Sequence, residues 1–345
     1  MGEAATGRRG GAPGLGRVKL ELSIAVGDYD RIRPLVDGSV QIDGVQPIFM
    51  LLSPEEIFFR ALRHADFDVC ELSLSSFAVR TARGDNPYVG VPVFPSRTFR
   101  HTSIVVRTDR GIRVPDDLRG RRLGTPEYQL TACVWARGLL SDEFGVSPSQ
   151  VTWVRGGMEQ PGRLEKIDLD LPAGVRLEPA PSDRTLNELL EQGEIDGLVS
   201  PRLPAGFGRD SRIGWLFADP MGAALDYYRR TGIFPIMHLL GVRRSLAERH
   251  PWLPAALAKA FEQAKAACFA RLSDTSATKV MLPFVEELLL AVRRDMGEDY
   301  WPYGLERNRN TLETFLRHHH EQGLSARRLA PEELFHPASL EAFKI

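Results

Sequence analysis

Two arginines, Arg97 and Arg100, sit three residues apart just after the apolar run Tyr88–Phe94, with Ser96 beside them. A guanidinium fork grips a carboxylate in bidentate fashion, so this pair reads as an anion clamp. The plainer alternative is a salt bridge inside the fold. His238 stands within the apolar stretch Phe234-Pro235-Ile236-Met237 and Leu239-Leu240. Imidazole gives and takes protons near neutrality, although a lone strand histidine is often only a satisfied core residue. His101 is the second choice of proton donor. Ser73, Ser75 and Ser76 follow another apolar run and can donate to anionic oxygens, or merely cap a turn. Asp28, Tyr29 and Asp30, with Arg31 and Arg33, follow the first such run, where the acids can accept hydroxyl protons or cap a helix. Glu127 and Tyr128 precede a helix starting at Gln129, whose open amides would attract an anion. Arg163, Glu165 and Lys166 form a charged loop that reads as a lid or as solvated surface.

Other chemistries find no foothold. There is no GxGxxG, Walker loop, HExxH or GxSxG pattern. His318, His319 and His320 are adjacent, so on a helix they point in different directions, and no nearby acid or cysteine spacing completes a metal set. No metal and no cofactor is the expectation. Cys70, Cys133 and Cys268 are an odd, widely spaced set without a CxxC, which suits a reducing compartment. Lys+Arg 44 against Asp+Glu 45 gives a net charge of −1, so a nucleic-acid partner is not expected. No stretch approaches the ~20 apolar residues of a membrane span. The Gly-rich residues 1–17 contain Arg8-Arg9 but no apolar run after it, and read as a flexible tail rather than an export signal. A cytoplasmic protein is expected.

These side chains need elements to position them. The 345 residues suggest about two domains of roughly 150 residues. Alternation from Val18 to Ile24 predicts a strand ending at Gly27, and Pro54–His64 a helix with acids in its first turn. Phe67–Phe77 reads as a strand running into a Ser-rich turn; Tyr88–Phe94 and His101–Thr108 read as further strands. Gln129–Phe144 is a helix stopped by Gly145, and Gln150–Val154 a strand. Leu186–Pro201 gives a helix, a Gly stop and a strand, and Phe234–Arg244 a buried strand. From Pro251 onward the chain is mainly helical, with Leu257, Phe261, Ala264, Cys268 and Leu272 at helical spacing. Alternating strands and helices predict an α/β fold with mostly parallel sheets, whose ligands bind beyond the carboxyl ends of the strands. The long helical C-terminal segment offers surface on which copies of the chain could associate.

The order of an Asp117-Leu118-x-Gly120 turn, strand, turn, helix, strand, then helix and Gly193-Glu194-Ile195-Asp196-Gly197 resembles one lobe of the type II periplasmic-binding-protein fold. That resemblance implies two α/β lobes around a ligand cleft, with lobe 1 built from residues 18–100 and 235–345 and lobe 2 from 101–234. Within this fold the chain resembles the 4,5-dihydroxyphthalate decarboxylase family. The resembling stretches are GDYDRIRPL (27–35), DVCELSLSSF (68–77), VFPSRTFRH (93–101), GTPEY (124–128), GRLEK (162–166), FPIMH (234–238) and DYWPYGLERNRNTL (299–312).

The family's reaction would convert 4,5-dihydroxyphthalate to protocatechuate and CO2. Direct loss of CO2 leaves an unstable aryl carbanion. A phenol oxygen para to the departing carboxylate can instead push electrons into the ring, so that the carbon is protonated before CO2 leaves. Such a site needs a carbon acid, an acceptor for the phenol and cationic clamps, in a cleft that excludes water. In this frame His238, His101 and Asp28 are the expected catalytic groups. Arg97, Arg100, Ser96, Ser73, Ser75, Ser76, Tyr29, Arg33, Glu127 and Tyr128 are the expected contacts to a small aromatic carboxylate. The alternatives are a non-catalytic binding protein for a small aromatic or pyrimidine-like acid, and a decarboxylase of another hydroxybenzoate.

Overall fold

The computed structural model describes residues 19–165, 167 and 169–341; the tail expected over residues 1–17, the strand start at Val18 and Lys166 lie outside the described residues. The chain begins with β1 (Leu20–Val26), α1 (Arg33–Val36), β2 (Val45–Leu51), α2 (Pro54–His64), β3 (Val69–Ser73), α3 (Leu74–Arg83) and β4 (Tyr88–Arg97). Next come β5 (Ile104–Arg107), β6 (Arg122–Thr125), α4 (Thr131–Phe144), β7 (Thr152–Arg155), β8 (Arg176–Pro179), α5 (Leu186–Gln192), β9 (Gly197–Val199), β10 (Ile213–Trp215) and α6 (Pro220–Thr231). The chain ends with β11 (Ile236–Arg243), α7 (Arg244–Arg249), α8 (Leu253–Leu272), α9 (Val285–Met296), α10 (Arg309–Glu321) and α11 (Pro337–Glu341).

Two sheets result. One has the order β2-β1-β3-β11-β4, the other β10-β5-β9-β6-β7-β8. The chain passes from the first to the second after β4 and returns before β11. Each sheet has a parallel portion, β2-β1-β3 and β9-β6-β7-β8. The sheets are mixed rather than mostly parallel, because β11 runs antiparallel to both β3 and β4, and β5 antiparallel to β9 and β10.

Local chemistry explains the elements that carry the site. Helix α2 starts where Ser53 Oγ accepts from the Glu56 amide, with Pro54 in the first turn and Glu55 and Glu56 at the positive end of the helix dipole. Residues 74–77 do not form the expected turn. Leu74, Phe77 and Ala78 are buried at i, i+3 and i+4, so the segment coils into α3 directly after β3. Helix α4 is buried from Thr131 to Leu140. Its Trp135 Nε1 donates to the Ile236 carbonyl at 2.8 Å, and Arg137 lies 3.7 Å above the Tyr128 ring while donating to Gln322 Oε1 at 2.8 Å. A Cβ at Gly138 would lie 2.0 Å from His318 Nδ1, so glycine is what lets α10 close on α4.

Two buried histidines make the fold acid-sensitive. His319 is held between Ser75 Oγ and Ser325 Oγ, both at 3.1 Å, and burial pushes its pKa down to about 3. Burial, helped by the Arg230 charge, takes His101 down to about 4. Free histidine titrates near about 6.5, so on acidification the unfolded chain binds protons that the folded one refuses. This stability is complete above about pH 6.5 and is lost as pH falls toward 4. The urea midpoint is expected to hold from pH 8 to 7 and to drop between about pH 6.5 and 5, with a shallower drop in His319→Asn. An unchanged midpoint across that window would contradict neutral burial of these rings.

Candidate active site

The site is organised by a carboxylate, Glu71, with no exposed surface at all. Strand β3 directs it to the sheet face that also carries His238, which pairs with Ser73 on one side and Ser96 on the other. The ladder between β11 and β4 shifts register on both sides of His238, an irregularity of the kind that re-aims a side chain. Glu71 accepts three hydrogen bonds: from the Gly27 amide at 2.9 Å, from the Tyr29 hydroxyl at 2.9 Å, and from His238 Nδ1 at 2.5 Å. Burial by itself would raise the Glu71 carboxyl, but the charge and hydrogen bond of His238, with the Gly27 and Tyr29 donors, hold it below the usual carboxylate range. Burial, and then the Glu71 charge, raises the Tyr29 phenol well above its ordinary value, so its hydroxyl keeps its proton and donates. The side chain of His238 is 17% exposed, and its ring meets Phe58 of α2 edge-on at 4.9 Å. Among the described residues nothing hydrogen-bonds its Nε2.

Phe58 is also a wall of a cleft of about 620 Å³, so His238 lies one aromatic ring from that space. Helix α2 supplies one wall; the loops after β6, β7 and β9 supply the other, including Glu127, Arg163, Glu165 and Arg202. Arg163 binds the buried Glu127 through Nε at 2.8 Å and reaches across to Glu55 of α2 at 3.1 Å. Arg202 approaches the same Glu55 at 3.7 Å. The amides of Tyr128 and Gln129, expected to await an anion, are occupied from within by Glu165, at 2.5 and 3.4 Å. Burial raises the Glu165 carboxyl, as does the neighbouring Glu127 charge, against those two amide hydrogen bonds.

The other expected residues fall into distinct places. Arg97 is buried, and its guanidinium donates to the carbonyls of Phe234 at 2.9 Å and Pro302 at 2.6 Å and to Asn308 Oδ1, stapling the seam where β11 begins. Arg100 meets only Met237 Sδ at 3.0 Å and Ser103 Oγ at 3.3 Å, and among the described residues no acid pairs with it. Burial lowers its pKa to about 10, which leaves it charged at neutral pH. Ser73 Oγ and the Ser75 amide share Thr131 Oγ1 at 3.0 Å each, at the start of α4, while Ser75 Oγ holds His319 and Ser76 is buried. Asp28 is exposed and paired with Arg33. His101 is packed among Phe217, Tyr227 and Phe99, and lines a separate cavity of about 380 Å³ with Glu143 and Arg230. The structure thus gathers Tyr29, Ser73 and Ser96 around His238, and places Arg97, His101, Asp28 and Arg33 elsewhere.

His318, His319 and His320 turn to Asp142, to Ser75 with Ser325, and to the Ser325 carbonyl respectively. Among the described residues no three His, Cys, Asp or Glu side chains converge to hold a metal ion, and no helix is long and apolar enough to cross a membrane. Glu71 was absent from the expected set. Its sequence signal is an acid in the strand run Val69-Cys70-Glu71-Leu72, where every residue proves buried.

A scan against protein-family models finds no match. Two curated relatives do. A 4,5-dihydroxyphthalate decarboxylase of Comamonas testosteroni is 61% identical over 328 residues, covering 95% of this chain and 99% of the relative. A 4,5-dihydroxyphthalate decarboxylase of Pseudomonas putida is 62% identical over 212 residues, covering 61% of this chain and 82% of the relative. Among solved structures, the periplasmic aliphatic sulphonate binding protein SsuA of Escherichia coli superposes with a TM-score of 0.52 at 13% identity, covering 93% of this chain and 99% of that one. That likeness shows the periplasmic-binding-protein-like fold.

A Cβ at Gly27 would lie 2.4 Å from Tyr29 Cζ, so only glycine allows the Tyr29 ring to fold back onto its own strand and reach Glu71. Gly27→Ala is expected to push Tyr29 off Glu71 and to cost about 1–3 kcal/mol in urea unfolding. A variant of full stability, with the Tyr29 ring unmoved in its crystal structure, would contradict this packing.

Proposed function

The chain belongs to the 4,5-dihydroxyphthalate decarboxylase family, and from that membership we propose that it converts 4,5-dihydroxyphthalate to protocatechuate and CO2 with His238 as the proton donor. It is a carboxy-lyase on a periplasmic-binding-protein-like fold. The observation that carries the residue assignment is His238 itself. It is bound through Nδ1 to a fully buried carboxylate, carries no hydrogen bond on Nε2 among the described residues, and is separated from an arginine-bearing cleft by one phenyl ring.

The imidazolium form of His238 meets the chemical demand. Electron release from the hydroxyl para to the departing carboxylate makes the ring carbon basic, and Nε2–H delivers its proton there. The carbon–carboxylate bond then breaks, its electron pair restores the aromatic ring, and CO2 departs. One proton is consumed per turnover, and solvent returns it to Nε2. Arg100 supports carboxylate binding, since it is charged, half-buried and without an acidic partner among the described residues. Ser73 and Ser96 flank His238 in register and are near enough in the sheet to contribute polar contacts. The scheme requires no cofactor.

Further parts of the reading concern organisation. We take residues 18–100 with 235–345 as one lobe and 101–234 as the other, supported by the strands each sheet recruits and by Glu55 meeting Arg163 and Arg202 across the cleft. A cytoplasmic setting is supported by three free, buried cysteines. Association with a second copy is supported by the exposed apolar side chains Met281, Leu282, Phe284, Leu288 and Leu290 at α9, and a monomer in sedimentation would remove it.

Purified protein incubated with 4,5-dihydroxyphthalate is expected to release CO2 and protocatechuate in equal amounts, with or without a chelator. Tight binding without turnover would replace the enzyme by a binding protein, and activity lost to chelator and restored by metal would overturn the cofactor-free scheme. His238→Gln is expected to lower kcat by about 10²–10⁴-fold. Arg100→Leu is expected to raise KM by about 10-fold or more with a smaller change in kcat. Unchanged constants in either variant would withdraw that residue from its role.

A further inference from the structure

We propose that Glu71 is a positioning residue that sets both ends of the proton traffic, orienting His238 with Nε2 toward the substrate ring and Tyr29 with its oxygen lone pairs toward the substrate phenol. The proposal rests on the assignment of His238 as proton donor.

A carboxylate can only accept hydrogen bonds. Nδ1 of His238 is therefore the protonated nitrogen whenever it faces Glu71 at 2.5 Å, in the imidazolium and in the neutral ring alike. After Nε2 has given its proton to carbon, the ring is left as the Nδ1–H tautomer, with a lone pair on Nε2 ready for the next proton. The same logic fixes Tyr29. Its single proton is committed to Glu71 Oε1, so toward a ligand the phenol oxygen offers only acceptance. Glu71 thus presents a donor and an acceptor from one buried anchor, and the reaction needs one of each, for the ring carbon and for the electron-releasing hydroxyl. Asp28 and Asp30, the acids on either side of Tyr29, are exposed and already paired with Arg33 and Arg31.

A purely structural tie would not require a charge here. An amide at position 71 could keep a hydrogen bond to the Gly27 amide, without the cost of burying an anion. What the anion adds is Coulombic support for the imidazolium and selection of one tautomer. The groups facing this pair are few. Tyr29 comes from the loop after β1, with the Arg31 guanidinium 4.2 Å above its ring. Helix α2 contributes the apolar Phe58, β3 and β4 contribute Ser73 and Ser96, and the buried Tyr303 phenol senses the Glu71 charge. Glu71 is the acid that pairs with His238.

The test combines kinetics with nitrogen NMR of His238 in the full chain. In Glu71→Gln, kcat is expected to fall by about 100-fold or more while KM stays within about 3-fold. The alkaline limb of the kcat profile should move to lower pH, and the ring nitrogens should show the Nδ1–H tautomer lost. Glu71→Asp keeps the charge and shortens the reach, so it should retain the wild-type alkaline limb at reduced kcat, and it serves if the Gln variant does not fold. Tyr29→Phe should lower kcat about 10-fold with the His238 tautomer intact. Wild-type kcat and an unmoved limb in Glu71→Gln would overturn the proposal, as would an unchanged tautomer. If the wild-type protein fails to decarboxylate, the functional reading falls, whereas the tautomer in Glu71→Gln still decides whether Glu71 orients His238.

Discussion

A carboxylate removed from water must be surrounded by hydrogen-bond donors, and the arrangement of this site follows from meeting that demand at Glu71. Its three donors come from two distant places in the chain: Gly27 and Tyr29 in the segment just after β1, and His238 near the start of β11. Both places are shaped to deliver these donors. Gly27 has no side chain to obstruct the Tyr29 ring, Tyr29 folds back over it, and the irregular ladder around His238 turns the imidazole inward. The return of the chain from the second sheet to insert β11 between β3 and β4 is what brings His238 to Glu71 at all.

The charge of the cleft is as local as the near-neutral chain requires. Arginines and glutamates there are matched in a short circuit running from buried Glu127 through Arg163 to Glu55, with Arg202 at its end. The circuit crosses from the loops of one sheet to the helix of the other, so its geometry depends on how far the walls stand apart. Glu165 fills the amides ahead of α4 with a carboxylate from the chain itself. Among the described residues Arg100 has neither an acid nor a carbonyl on it, which is what suits it to the carboxylate-binding role proposed above.

Much of this was legible in the residues. Ser53-Pro54-Glu55-Glu56 carries its own start signal, and α2 spans the residues that signal predicts, Pro54 to His64. His238 was conspicuous as a titratable group in an apolar strand. What escaped was set by contacts made far along the chain. Arg97 and Arg100 look alike in sequence, but Arg97 is consumed by Pro302 and Asn308, 205 and 211 positions away. Glu71 was not singled out, because an acid inside a strand run does not by itself tell a solvent-facing side chain from a buried one; every residue of β3 is buried. The serines of 73–76 suggested a turn because local propensity favours it, until burial of Leu74, Phe77 and Ala78 made a helix the better solution. The resemblance to the decarboxylase family, carried by short stretches such as GDYD and FPIMH, agrees with relatives more than 60% identical.

The central claim is that an aromatic ring sits against the Nε2 edge of a Glu71-bound His238. A crystal structure of the protein with protocatechuate tests it most directly. The account predicts the ring carbon that bore the lost carboxylate within van der Waals reach of His238 Nε2, about 3.5 Å, with a hydroxyl directed at Tyr29 Oη. A product bound away from His238, with Phe58 still closed over the imidazole, would contradict it.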